Sequence, residues 1–575
     1  MVGYLRKELL GAALGDEPCD IVFRNANVFN PFSCTWELCD FGVKDGIVVG
    51  KGDYKGEEET DLGGAKVIPG LIEAHVHIES SLLTPAEYGR VILKCGVTTV
   101  IADPHEIANV CGKKGIEYMI SEAEKTAADI FFMLPSCVPA TAFDKAGAVL
   151  NADDLKELYD SYNVADRGEK SSSRGGIIGL GEMMNYPGVI GGDEEVFRKL
   201  ALCDIRDGHC PHLSGKVLNA YVMQGIGSDH ESTSYEEGYE KLNSGMHILI
   251  RDSTAEDGSG LISLVNPYTA SRCMFATDDR HVDFLCSDGS IDDCIRNAIA
   301  RGLAPDLAYR IATLSAAEYF GLHDRGALVA GRLADFCIID ESSPEKFWVV
   351  KTYKRGIDTA KFADTPVKPA VLDSVFDMPE ISVSDIALPK RNGTAHVIGI
   401  VKGQIITENL RMNIDSAQIP DMREGIIKCV VCGRYGTGKI GVGLVKGLGL
   451  AKGAIAVSVS HDSHNVIAAG CSDEEIVRAL NLIRENRGGI SCVCGDDECV
   501  LPLSCGALMS YDPYEKVNEQ LCGLYEALIK ICVPDITDSP IIHLSFLALT
   551  VIPSLKITER GLFDVEAFSD INLFE

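Results

Sequence analysis

Between residues 67 and 325, short apolar runs alternate with helical stretches eight times, and this alternation constrains the fold more than any other feature of the chain. The runs lie at 67–77, 97–103, 129–138, 176–182, 202–209, 225–230, 246–252 and 273–278. Several, such as Ile130-Phe-Phe-Met-Leu and Ile248-Leu-Ile, are apolar at consecutive positions rather than at every second one. A strand reads that way when both of its faces are buried, as in parallel sheets whose strands are linked by helices. Eight such units in about 260 residues predict a (β/α)8 barrel. A doubly wound open sheet is the structural alternative.

The flanking segments read differently. Ile21-Val-Phe-Arg-Asn-Ala-Asn-Val-Phe-Asn, Asp45-Gly-Ile-Val-Val-Gly and Phe347-Trp-Val-Val-Lys-Thr have strand composition, with Asn, Asp and Gly as punctuation in the first two. Residues 1–66 and 326–385 are expected to form one small β-sandwich domain from both sides of a barrel at 67–325. From 386 to 575, strand candidates beginning at Ile426, Ala454 and Gly489 accompany amphipathic helices beginning at Glu474 and Tyr514. The expected fold class is therefore α/β: a (β/α)8 TIM-like barrel, a small β-sandwich domain from the flanks, and a C-terminal α+β domain.

Charge narrows the partners. With 53 basic and 84 acidic residues the formal net charge is −31. A surface that acidic repels phosphate backbones, which argues against nucleic acid. No uncharged apolar run reaches the roughly 18 residues that a membrane span needs. The apolar N-terminal stretch is interrupted by Glu8 and ends at Asp16 without a cleavage-type sequence, so no signal peptide is read there. Most of the 21 cysteines stand singly in apolar segments, which fits reduced thiols in a cytoplasmic protein. Cys429, Cys432, Cys492, Cys494 and Cys499 offer a zinc site as an alternative, although Cys429 and Cys432 sit within a strand-like run.

In such barrels the C-terminal strand ends carry the chemistry. Strand 1 ends in His75 and His77, strand 4 in Glu182, strand 5 in His209, strand 6 in His230 and strand 8 in Asp278. Histidines at i and i+2 of a strand share one face. This set suits two divalent ions, one held by His75, His77 and Asp278, the other by His209 and His230, with Glu182 between them. A hydroxide shared by the ions would be a strong nucleophile near neutral pH. The duller readings are buried core histidines and helix-capping carboxylates. Asp103-Pro-His105-Glu106, at the end of strand 2, reads equally as a capping box or as groups facing substrate or an additional metal. Glu231 and His281 stand close to proposed ligands. His461-Asp-Ser-His464-Asn reads as a polar turn unless the last domain caps the barrel mouth.

These residues resemble a known family. Ile68-Pro-Gly-Leu-Ile-Glu-Ala-His-Val-His is similar to the first-strand signature of the amidohydrolase superfamily. Asp103-Pro-His-Glu-Ile-Ala-Asn-Val, Asp207-Gly-His-Cys-Pro, Ser228-Asp-His-Glu, Thr277-Asp-Asp-Arg-His and His461-Asp-Ser-His-Asn resemble the adenine deaminase family. Hydantoinases and dihydroorotases place a carboxylated lysine where strand 4 here ends in Glu182, and mononuclear adenosine deaminases have no bridging group there.

The resemblance implies hydrolysis of adenine, a small purine base, to hypoxanthine and ammonia. Asp278 would serve as both ligand and acid/base, and Glu182 as a candidate proton donor to the ring. It implies two divalent ions, Mn²⁺ or Fe²⁺, with Zn²⁺ also compatible with the ligand types. Another aminopurine or a cyclic amide is the competing substrate. The expected assembly is a cytoplasmic homo-oligomer, a dimer, with no nucleic-acid or membrane partner.

Overall fold

In a computed structural model, residues 6–141, 143–164, 175–252, 259–343, 346–363, 365–534 and 539–575 are described. The eight expected barrel strands occupy Leu71–Val76, Val97–Ala102, Asp129–Leu134, Gly175–Met183, Arg206–Gly208, Ser228–Asp229, His247–Arg251 and Cys273–Ala276. The first five pair in parallel as one arc and the last three as another. Gly227 N donates to Arg206 O at 2.9 Å between the arcs. A parallel bridge from Val76 to Asp278 joins the last strand to the first.

The consecutive apolar positions have a direct structural cause. Ile72, Ile101, Phe131, Met133, Leu249 and Met274 enter one apolar cluster. Their chain neighbours Leu71, Val100, Ile130, Phe132, Ile248 and Cys273 enter another. Both faces of these strands are thus covered, as parallel strands require.

The expected strand at 67–77 is divided. Lys66–Pro69 pairs with the small sheet, whereas Leu71–Val76 enters the barrel. The flanking segments supply eight strands that form one branched sheet, with Gly56–Asp61 and Lys66–Pro69 pairing along successive parts of Cys19–Asn30. The segments on either side of the barrel thus share one hydrogen-bonded sheet, packed around Phe23, Phe41, Phe336 and Tyr353. Phe336 stacks on Tyr353 at 4.5 Å, and Phe23 meets Phe336 edge-on at 4.9 Å.

Asp129 begins the third barrel strand and ties the barrel to this sheet. Arg325 Nη1 and Lys354 Nζ donate to its Oδ2 at 2.9 and 2.7 Å. Burial opposes ionisation of Asp129, but Lys354 and Arg325 outweigh it and hold the carboxyl at about 2.

The last part of the chain carries a second eight-stranded sheet, from Asn392–Ile400 through Asp497–Pro502 in sequence. Helix Asp473–Asn486 packs on it through Ile476, Ala479, Leu480 and Ile483, the i, i+3, i+4, i+7 stripe of an amphipathic helix. Ser472 caps that helix by accepting Glu475 N. Cys429 and Cys432 lie on one strand but enter different apolar clusters, and Cys492 faces Cys499 on another strand pair. The five cysteines therefore do not gather into the alternative zinc site. Among the described residues no helix is long and apolar enough to cross a membrane.

Candidate active site

The last barrel strand is stitched to the first at the site itself. Asp278 N donates to His75 O, and His77 N donates to Asp278 O, both at 3.0 Å. Asp278 adopts a left-handed backbone, with φ of 56°, a conformation that is costly for a non-glycine residue and persists only where its surroundings impose it. The carboxylate is thereby fixed beside the two imidazoles: Oδ1 lies 3.5 Å from His75 Nε2 and 3.2 Å from His77 Nε2.

Glu182 stands at the centre of the cluster. Its Oε1 is 3.2 Å from both His77 Nε2 and His105 Nδ1. Its Oε2 is 2.6 Å from His209 Nδ1 and 3.1 Å from His230 Nε2. One carboxylate thus faces two pairs of imidazoles, one pair on each oxygen. The end of strand 2 holds it in place, because Asp103 Oδ2 accepts Glu182 N at 3.0 Å. The close approach requires Gly181, where an added Cβ would lie 2.0 Å from that oxygen. Asp103 thus positions strand 4, and the first turn of the following helix is met instead by Glu79, whose Oε1 accepts Ile107 N at 3.0 Å.

All six proposed ligands meet in this cluster, and all except the half-buried His209 are buried. A metal ion fits it on three counts. His77 Nδ1 is engaged by Asp103 O at 2.9 Å, which leaves Nε2 to face the carboxylates of Glu182 and Asp278; a ligating histidine is usually held through its other nitrogen in this way. His75 Nε2 is buried without a hydrogen-bond partner. The His75 and His230 rings stack at 4.2 Å, an unfavourable contact for two cations and an acceptable one for neutral ligands. Burial raises the pKa of both carboxyls, yet each is held well below the usual range, Glu182 by His209 and His230 and Asp278 by Arg251 and its imidazole neighbours.

The mouth opens into a cavity. Its floor is the polar cluster. Its roof comes from the far end of the chain: Ile405, Phe546, Leu549, Val551 and Ile552, with His461 and Asp462. The His461–Asp462 turn thus does reach the barrel mouth. Glu106 Oε1 is 2.5 Å from His461 Nδ1, and its Oε2 bonds His464 Nε2. Burial alone would lower His461, but Glu106 outweighs it and takes the imidazole to about 9. Burial raises Asp462 to about 7.

The amidohydrolase family model matches residues 66–372, and the model of the adenine deaminase C-terminal domain matches residues 404–569. An adenine deaminase from Methanoregula boonei is 50% identical over 579 aligned residues, covering 99% of both chains. One from Methanoculleus marisnigri is 52% identical over 537 residues, covering 93% of this chain and 100% of the relative. An adenine deaminase 2 from Carboxydothermus hydrogenoformans is 40% identical over 98% of both.

The chain belongs to the adenine deaminase family.

The two matched regions of this adenine deaminase family member meet at the cavity. The polar floor falls within the amidohydrolase match, and the roof falls within the C-terminal match. Glu231 lines the cavity, 3.6 Å from His230 and 3.8 Å from His209. His281 does not line it and instead contacts Tyr525 Oη at 3.4 Å. Arg251 is a residue that sequence reasoning missed. It ends strand 7, donates to Asp278 Oδ2 at 2.7 Å and pairs with Glu231. Its place at the end of strand 7 is the signal that marks the other members of the site. The apolar roof residues carried no comparable signal, whereas Asp462 lies within the His461-Asp-Ser-His464-Asn turn.

Proposed function

We propose that the chain hydrolyses adenine to hypoxanthine and ammonia, in purine salvage or catabolism. His75, His77, Glu182, His209, His230 and Asp278 would hold two divalent metal ions for this reaction. The observation that carries the reading is Glu182, whose two oxygens each face a pair of imidazoles at the mouth of a barrel of this family. Mn²⁺ or Fe²⁺ suits the mixed imidazole and carboxylate set, and Zn²⁺ is also accepted by it. Bound there, the ions would generate a nucleophile from water at neutral pH and stabilise developing charge.

The remaining work falls to side chains. Asp278, with Oδ1 turned toward His75 and His77 and Oδ2 toward Arg251, is placed to take a proton from the attacking water and return it to the departing amine. Glu182 has both oxygens engaged by imidazoles, so in this reading it holds the centre together and Asp278 carries the proton. The apolar roof covers the flat face of a purine and excludes water, while Glu231 and Arg251 present polar atoms to its edge.

We further infer a homodimer in the cytoplasm, acting on a small molecule without nucleic-acid or membrane partners. The strongly acidic composition supports the exclusion of nucleic acid. The division into 1–66 plus 326–385, 67–325, and 386–575 is part of the same proposal, supported by the three groups of sheets. Sedimentation of the purified chain tests the dimer.

The decisive experiment incubates metal-loaded protein with adenine and measures ammonia, hypoxanthine and metal content on the same sample. Equal amounts of ammonia and hypoxanthine are expected, with at least two ions per chain. No ammonia from adenine, with opening of a cyclic amide by the same sample, would overturn the reading.

A further inference from the structure

The barrel mouth holds more ligand-type side chains than a two-ion centre uses. His105, Glu106 and Asp462 form a second buried group, with ligand atoms all within 4.8 Å of one another. His105 Nε2 lies 3.5 Å from Glu106 Oε1 and 4.0 Å from Asp462 Oδ1. Those separations are too long for hydrogen bonds, which fall at about 2.7–3.2 Å. They are the separations of atoms sharing one ion, since ligands each about 2.0–2.2 Å from a metal stand about 3–4 Å apart.

Asp462 supplies an independent observation. It is 6% exposed, and its Oδ2 is buried without a hydrogen-bond partner. Burying a carboxylate without compensation is costly, and a coordinated cation is one of the few remedies. Glu106 is oriented as a ligand would be. His461 Nδ1 and His464 Nε2 meet its two oxygens, and Ser460 N donates to His464 Nδ1 at 3.2 Å, which leaves the proton of His464 on the nitrogen facing Glu106. Outer hydrogen bonds of this kind fix ligating carboxylates.

We propose that His105, Glu106 and Asp462 bind a third divalent ion, of the transition-metal type that accepts imidazole together with carboxylate. The ion fastens the C-terminal roof to the barrel mouth, because Asp462 comes from one and His105 and Glu106 from the other. His105 links the two metal groups, with Nδ1 at Glu182 and Nε2 at the new site. The site lies beside the two-ion centre and uses none of the six ligands assigned there.

The test is a metal count on the full chain, reconstituted with Mn²⁺, freed of excess ion and analysed by plasma mass spectrometry. Three ions per chain are expected for the unaltered protein and two for Asp462→Asn. Asp462→Ala provides a second variant should the first fail to fold. Two ions in the unaltered chain, or three in both it and a folded Asp462 variant, overturn the proposal. One ion in the unaltered chain, lost in the Asp462 variant, upholds this site while overturning the two-ion centre, so the two readings fail separately.

Discussion

Arg251 Nη1 donates to Asp278 Oδ2 at 2.7 Å, so that Oδ1 alone of that carboxylate faces His75 and His77. The same guanidinium pairs with Glu231. Arg251→Met leaves two buried carboxylates without their cation, a loss worth about 3–5 kcal/mol for a buried pair. Steady-state assays should show kcat/KM for adenine reduced by at least about 100-fold, the scale of a lost acid–base contribution. Arg251→Lys restores the charge without the planar fork and should recover only part of the loss. Unaltered kinetics in Arg251→Met would show that Asp278 needs no such partner.

Gly181→Ala tests the support beneath Glu182. Its new methyl group would occupy the position of Asp103 Oδ2, the acceptor for Glu182 N. Overpacking of this kind costs about 1–3 kcal/mol. The expected result is a lower melting temperature together with reduced metal content, measured on the same preparation. A drop in melting temperature with full metal content would separate strand 4 packing from the centre.

Chelation should abolish adenine hydrolysis and lower the melting temperature. An ion present at 1,000 times its dissociation constant stabilises the native state by about 4 kcal/mol, and its removal forfeits that stabilisation. Calorimetry before and after chelation, with Mn²⁺ added back, measures both the loss and its recovery. A melting temperature insensitive to chelation would argue against ions bound among these buried groups.

Lys556 gives a pH signature. Its buried ammonium donates to Ile405 O at 2.9 Å and Phe546 O at 3.1 Å, the backbones of two roof residues. Burial pushes the amine down to about 7 from an ordinary value of 10.5. Below pH 7 both folded and unfolded chains are protonated, and the folded one carries a buried charge. Between pH 7 and 10.5 the folded chain sheds a proton that the unfolded chain keeps, so stability rises with pH across that window. Relative to Lys556→Met, the unaltered protein should gain up to about 1.4 kcal/mol per pH unit there. Denaturation at pH 7, 8 and 9 measures the difference, and a constant gap would refute a neutral Lys556.

Asp129→Asn removes the carboxylate that Arg325 and Lys354 share beneath the barrel. Arg325 keeps Asp324 and Lys354 keeps Asp335 as partners, so a loss of about 1–3 kcal/mol is expected in urea denaturation.

The barrel was legible because its strands are buried on both faces, which leaves consecutive apolar residues such as Ile130 to Leu134 in the sequence. Polar residues ending those strands stood out against that background, as His75, Glu182 and Asp278 did. Arg251 ends its strand in the same way. Asp103-Pro-His-Glu carried two readings because capping and site-building use the same residues; only the contacts to Glu182 N and His461 separate them. The break at Gly70, where one apolar run serves two sheets, has no periodic signature. The roof was illegible for a different reason. Glu106 and His461 are 355 positions apart, and no local pattern encodes a contact over that distance.

That distance also sets an order of events during synthesis. The floor carboxylate Asp278 leaves the ribosome well before the last roof residue, Ile552. At about 5–20 residues per second, the interval between them is roughly ten seconds to a minute. Until that interval ends the imidazoles and carboxylates of the floor lack a complete lid. An ion can reach them from open solution before the rest of the chain arrives.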